Sequence, residues 1–297
     1  HRALTLAHLI SELQGLLQFI RLLNLPTTGD IDLATREVLD RALSELAHTG
    51  IVAVYEDGLE PVYAVPDDAG MAAAYYRNTF VHFLVTSAIA ELALLHVAET
   101  APSDAREALH DEALRLRDLL KFEFFFDDKD AFLEKMDTEL DLRCPQWRDL
   151  LSGGTGGVDK ILATLTPLLA AGTLRSYLEA YSIVADSLQQ HGPALPLDTK
   201  AFLKHCAALG RQRLLQRRIT GIESVSRAYF ESALKLAGSR GLVDGDADTR
   251  QNAREAFAAE INLILERIAR LAAVSESRGG HTHSLKGSAT KGLPGVS

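Results

Sequence analysis

The chain has 297 residues, of which 47% are hydrophobic and 24% charged, and its formal net charge is −9. This balance excludes general disorder and gives enough apolar material for one large or two moderate cores. The negative charge excludes a surface that wraps nucleic acid, because that binding rests on many cations neutralising phosphates; an anionic partner has to meet a local basic patch.

The first residue is His1, and no basic segment followed by an apolar run marks a signal peptide. Residues 1–4 already run into a helical pattern, so a longer polypeptide that begins upstream is expected. Leu6, Leu9, Ile10, Leu13, Leu16, Leu17, Ile20 and Leu23 recur at spacings of three and four, which predicts an amphipathic helix over residues 5–24, stopped by Pro26. Thr28-Gly-Asp30 offers a turn and cap for a second helix over 31–48, which Gly50 closes. Ile51–Tyr55 and Pro61–Val65, joined through a Glu-Asp-Gly turn, read as a short β-hairpin. Two helices and a hairpin resemble a winged-helix unit, which takes residues 1–66.

Helical periodicity then continues almost to the end, over residues 72–99, 104–122, 128–140, 157–170, 173–190, 198–218, 223–239 and 248–275, separated by Gly, Pro and Asp signals. The expected fold is mainly α: a winged-helix-like unit with a short hairpin, followed by a multi-helix bundle over 67–275. Residues 276–297 are polar, Gly- and Ser-rich and without periodicity, and read as a disordered tail in which His281 and His283 are solvated rather than metal-bound.

The stretch from Tyr75 to Leu95 is largely uncharged, but Arg77 and Glu91 bound a run shorter than the roughly 20 apolar residues of a membrane span. It reads as a core helix with Phe80, Phe83 and Leu84 inside and a polar stripe of Arg77, Asn78 and His82, positions near one another on a helical surface. The stripe serves either an internal hydrogen-bond network or a site.

Catalytic motifs are absent: the sequence holds no GxSxG elbow, P-loop, GxGxxG or HExxH. Gly153–Gly157 lacks the strand before it and the Lys-Ser or Lys-Thr pair after it that a phosphate loop needs, and reads as a flexible loop. Cys144 and Cys206 form no CxxC pair, suit a reducing compartment and read as half-buried thiols, so no metal or cofactor is expected. The aromatics of Lys121–Phe126 read as core filling in preference to a lipid-inserting edge. In the basic run Gly210–Arg218, Arg211 and Arg218 fall on the side of Leu215 and Ile222 and require an anionic partner, either a carboxylate such as Glu223 or an external phosphate or acidic protein.

Four segments carry a family resemblance: AAAYYRNTFVHFLVTSAIAELAL (72–94), LRLRDLLKFEFFF (114–126), LRSYLEAYSIVADSL (174–188) and ESVSRAYFESALKLAGSRGLV (223–243). In order and spacing they resemble the C-terminal region of bacterial glycerol-3-phosphate acyltransferases, the membrane-associated enzymes that begin phospholipid synthesis, over roughly residues 4–273. The resemblance implies an upstream acyltransferase domain as partner, peripheral contact with the cytoplasmic face of the membrane, and acyl-CoA or acyl carrier protein with glycerol 3-phosphate as the substrates of the whole enzyme. It also implies a His-x-x-x-x-Asp motif in that upstream domain, where His is the base on the glycerol hydroxyl and Asp orients it. No histidine of this chain has Asp five positions on: His8 meets Leu13, His48 meets Ala53, His82 meets Ser87, His96 meets Ala101 and His110 meets Arg115. No catalytic residue is therefore assigned, and Arg77, Asn78, His82, Arg211 and Arg218 stand as candidates for substrate or interdomain contact.

Two other classes compete. A winged-helix nucleic-acid binder would use residues 31–48 for recognition, yet Asp32, Glu37, Asp40 and Glu45 there outweigh Arg36 and Arg41 and repel phosphate. A stand-alone helical interaction protein is the third reading.

Overall fold

The computed structural model describes residues 3–27, 35–192, 197–244 and 247–286. The turn and cap expected at Thr28–Asp30, the side chains of His281 and His283, and residues 287–297 lie outside them.

The chain opens with a strand, β1 (Leu4–Thr5), where sequence periodicity had placed the first helix. The extended backbone of Thr5 lets its hydroxyl accept from the His8 amide, and α1 (Leu6–Leu22) starts from that cap. After α2 (Arg36–His48) come β2 (Ala53–Tyr55) and β3 (Val62–Ala64), the two arms of the expected hairpin. β3 lies in the middle of a three-stranded antiparallel sheet, order β1-β3-β2, with Tyr63 opposite Leu4 on one side and Val54 on the other. Phe19 of α1 is buried in the same core as the helical bundle.

The single helix expected over 72–99 is broken. α3 (Gly70–Asn78) gives way to a 3-10 turn, Val81–Phe83, before α4 (Val85–Thr100) begins. Neither Pro nor Gly causes this. Asn78, Thr79, Phe80, Val81, His82 and Phe83 are six consecutive weak helix formers, and the side chain of Asn78 is engaged elsewhere, so tertiary contacts decide the local path. α4 is buried at every residue from Val85 to Leu95, on all sides, as a helix through the middle of a core must be.

The remaining helices are α5 (Ala105–Leu119), α6 (Lys129–Arg143), α7 (Trp147–Leu151), α8 (Gly154–Thr164), α9 (Ala170–Gln190), α10 (Thr199–Leu215), α11 (Arg227–Ser239) and α12 (Ala247–Lys286). Asp104, Asp128 and Asp198 cap α5, α6 and α10 by accepting from first-turn amides. α7 was not visible in the sequence, and the glycine run read as a flexible loop opens α8 instead. A Cβ on Gly157 would lie 1.7 Å from the Leu150 carbonyl oxygen, so the bare Cα is what lets α8 fold back on α7. Pro167 keeps α8 and α9 apart. α12 runs through Lys286, past the start of the tail expected from residue 276. Gly279 and Gly280 cost a helix about 1 kcal/mol each, which an already propagating helix can carry.

α9 is the second central helix and packs against α12, α11, α4 and α10. Buried charges tie the layers together. Glu91 of α4 accepts from the Leu169 and Ala170 amides (2.8 and 2.9 Å) before and at the start of α9, and Arg143 of α6 approaches it at 3.5 Å while donating to the Pro167 carbonyl (2.7 Å). Burial pushes the Glu91 carboxyl up to about 7, against the opposing pull of Arg143 and the two amides. On the far side, Arg267 of α12 joins Glu112 of α5 (2.6 Å) and Glu99 of α4 (2.7 Å). Cys144 and Cys206 are buried free thiols.

Candidate functional site

The end of α3 is anchored from three directions. Arg77 donates to Glu223 of the 3-10 turn Ile222–Val225 (3.4 Å) and to the Ser176 hydroxyl of α9 (3.3 Å), and its guanidinium also reaches the Asn78 side-chain oxygen. Asn78 in turn donates to the Tyr229 hydroxyl of α11 at 3.0 Å. The Tyr229 ring lies 4.6 Å from that of Tyr177, and Phe124 meets Tyr177 edge-on at 5.0 Å. An amide and a guanidinium at the last turn of one helix thus lock onto two others, while an aromatic stack closes the space beneath.

A second carboxylate holds the neighbouring loop. Glu179, one turn beyond Arg175 on α9, accepts from the Thr220 amide and hydroxyl (3.1 and 3.0 Å) and from the Ser224 hydroxyl (2.6 Å). Burial raises its pKa, offset by those donors. Close by, burial pushes the Glu123 carboxyl up to about 7, against weaker pulls from Tyr181, Ser232 and Lys235. The loop, α3, α9 and the end of α10 enclose a cleft of about 1100 Å³ with Arg77, Arg175 and Arg217 in its lining. The lining also carries the carboxylates Asp67, Glu223 and Glu276; among the described residues no group of His, Cys, Asp and Glu side chains is arranged to hold a metal ion.

Apart from Asp67, Arg217, Thr220 and Glu276, these side chains come from the four segments that carry the resemblance: Arg77 and Asn78 from 72–94, Phe124 from 114–126, Ser176, Tyr177 and Glu179 from 174–188, and Glu223, Ser224 and Tyr229 from 223–243. Residues 1–246 match the family model described as the glycerol-3-phosphate acyltransferase C-terminal region. The chain belongs to this family. It is 38% identical over 270 residues to the proteins that carry the name acyltransferase plsB1 in Mycobacterium bovis and Mycobacterium tuberculosis, an alignment that covers 90% of this chain and 43% of each relative. The chain therefore spans less than half the length of the curated relatives it matches.

Within this C-terminal region the five candidate residues separate. Arg77 and Asn78 lie together in the seam. His82 does not, because the break after α3 turns it outward, where it is exposed and its ring rests on Phe83 (3.9 Å between centroids). Phe80, Phe83 and Leu84 are half-buried; Val81 is the buried side chain of that turn, and the continuous buried run begins at Val85. α10 ends at Leu215, which removes Arg218 from the helical side assigned to it, and both Arg211 and Arg218 are exposed. The arginine of that run with a built partner is Arg213, which pairs with Asp186 and donates to the Ser182 hydroxyl (3.2 Å). Glu223, expected as a partner for the basic run, serves Arg77 instead. The aromatic run splits as well: Phe124 and Phe126 pack inward, while Phe122 and Phe125 are exposed.

Sequence reasoning missed Arg175, Arg217, Ser176 and Tyr229 as members of the site. The first, third and fourth lie inside segments already singled out, and the signal available was that polar residues recur in each of those segments on otherwise apolar helices.

Proposed function

We propose that this chain is the helical C-terminal region of a glycerol-3-phosphate 1-O-acyltransferase, and that it scaffolds a catalytic region held in the part of the polypeptide that the relatives carry outside the match. The observation that carries the reading is the family match over residues 1–246, and the acyltransferase name of relatives 38% identical supports it. The whole enzyme moves an acyl group from acyl-CoA or acyl carrier protein to glycerol 3-phosphate. The glycerol hydroxyl attacks the thioester carbonyl, a histidine takes its proton, and the thiol leaves. This chain holds no His-x-x-x-x-Asp pair for that step, so alone it is inactive.

α3 offers the catalytic region a seat. Its outer face exposes Met71, Tyr75 and Tyr76, the latter two at 70% and 57%, and tyrosines on a rigid helix are favoured contact residues between proteins. Peripheral membrane association at the cytoplasmic face is part of this reading and rests on the family resemblance; no described helix is long and apolar enough to cross a bilayer. The nucleic-acid reading gains nothing from the geometry, since Arg36 of α2 already faces Asp40 at 3.7 Å.

The test assays this chain and the full-length polypeptide side by side with glycerol 3-phosphate and acyl-CoA or acyl carrier protein. The expected result is turnover by the full-length protein and none above a no-protein control by this chain. Turnover by the chain alone overturns the scaffold role, and a full-length protein inert toward glycerol 3-phosphate with both donors overturns the acyltransferase reading.

A further inference from the structure

We propose that the cleft between α3, α9 and the end of α10 is a binding site for a phosphate monoester, held by Arg175 and Arg217. Of the three arginines in its lining, Arg77 is neutralised by Glu223. Arg175 is half-buried and Arg217 exposed, and neither has an ion-pair or side-chain hydrogen-bond partner among the described residues. The carboxylate nearest to Arg175 along α9, Glu179, spends its oxygens on Thr220 and Ser224. The two other acids of the lining, Asp67 and Glu276, are exposed, where water screens them, and form no ion pair among the described residues. The Arg175 guanidinium acts on Glu179 through space, pulling that carboxyl downward, but donates to no described side chain, and a phosphate satisfies its donors by paired N–H donation.

Arg217 adds an independent observation. It sits just past the C-terminus of α10 with φ +56°, closing the helix by the Arg217 amide to the Leu214 carbonyl (3.0 Å) and the Arg218 amide to the Arg213 carbonyl (2.8 Å). Glycine ordinarily takes this position, because a side chain there carries backbone strain. An arginine kept in that place, lining a cleft with a second arginine that donates to no described side chain, is explained by what its side chain binds. Leu214, Leu215, Ile219 and Ile222 give the cleft an apolar wall for the body of an ester beyond its phosphate, and its volume of about 1100 Å³ exceeds what a bare anion needs.

Only the choice of esters rests on the acyltransferase reading. Calorimetric titrations of the 297-residue chain at low ionic strength use inorganic phosphate, glycerol 3-phosphate and coenzyme A. The expected result is saturable binding of at least one of them, weakened about ten-fold or more in Arg175→Ala and in Arg217→Gly and unchanged in Arg211→Ala, which alters an exposed arginine outside the cleft. Arg217→Gly is also expected to keep or raise the thermal midpoint, so that its loss of binding cannot be laid to unfolding. Preference for one ester names the source of the phosphate; arginine-dependent binding of inorganic phosphate with no gain from either ester keeps the site and counts against the acyltransferase substrates as its ligands. Absence of saturable binding by all three, or binding that survives both arginine variants, overturns the proposal.

Discussion

Asn78 and Tyr229, 151 residues apart in the chain, are joined by a 3.0 Å hydrogen bond from the amide nitrogen to the phenol oxygen. It fixes the point where α3 stops, and with it the direction in which Arg77 reaches across to Ser176 and Glu223. Asn78→Ala strands the Tyr229 hydroxyl and is expected to lower unfolding free energy by about 1 kcal/mol, as Tyr229→Phe should. Urea melts of both single variants and the double variant check this: the double should cost clearly less than the sum, and strict additivity would show that the bond contributes nothing.

Glu91 and Arg143 form a deeper pair. Both side chains are nearly inaccessible, at 0% and 3% exposure, and each leaves a partner without compensation when the other is removed. Arg143→Ala is expected to destabilise by about 3 to 5 kcal/mol, the usual cost of an uncompensated buried charge, enough to lower the denaturation midpoint sharply. A midpoint within error of the parent would exclude the pair as a link between α4, α6 and α9.

Gly156 and Gly157, adjacent in the first turn of α8, should respond in opposite ways. Gly157→Ala drives a methyl into the Leu150 carbonyl and forces α7 and α8 apart, at a cost of about 2 kcal/mol or more. Gly156→Ala meets nothing within 4 Å and lies in a helix, so it should be neutral or add up to about 1 kcal/mol. Thermal melts of the two variants distinguish a packed helix start from a loose loop, in which both changes would be silent.

Glu123 makes stability depend on pH with a definite sign. Its carboxyl titrates near 7 in the fold and near 4.5 in the unfolded chain, so between these values the folded state binds the extra proton. Its contribution is fully present below about pH 4.5 and is lost as pH rises toward about 7. Glu123→Gln removes that loss, up to about 3 kcal/mol with burial incomplete. The variant should therefore gain on the parent from pH 4.5 to pH 7 and run parallel above it; a constant difference across this range refutes the assignment.

Much of the architecture was legible in one sequence. Leu and Ile at spacings of three and four mark the amphipathic helices, Asp104, Asp128 and Asp198 mark starts, and β-branched runs around Glu-Asp-Gly mark the hairpin, because each of these signals acts within a few residues. The family was legible too, in four short segments. Local signals did not reach the break between α3 and α4, since six weak helix formers in a row tolerate either path and the contact of Asn78 with Tyr229 selects one.

The glycine run shows the same division. Composition alone makes Gly153–Gly157 a flexible linker, and only the approach of the Leu150 carbonyl turns it into the tightest helix contact in the molecule's α7–α8 corner. The site is decided at that level entirely. Spacing along α10 pointed to Arg211 and Arg218, but the helix ends before Arg218, Arg213 takes the acidic partner, and Arg175 of α9 and Arg217 of the turn after α10 line one cleft. Periodicity determines which residues share a face of one helix; which faces meet, and so which charges are left without a partner, is settled by long-range packing that no local pattern encodes.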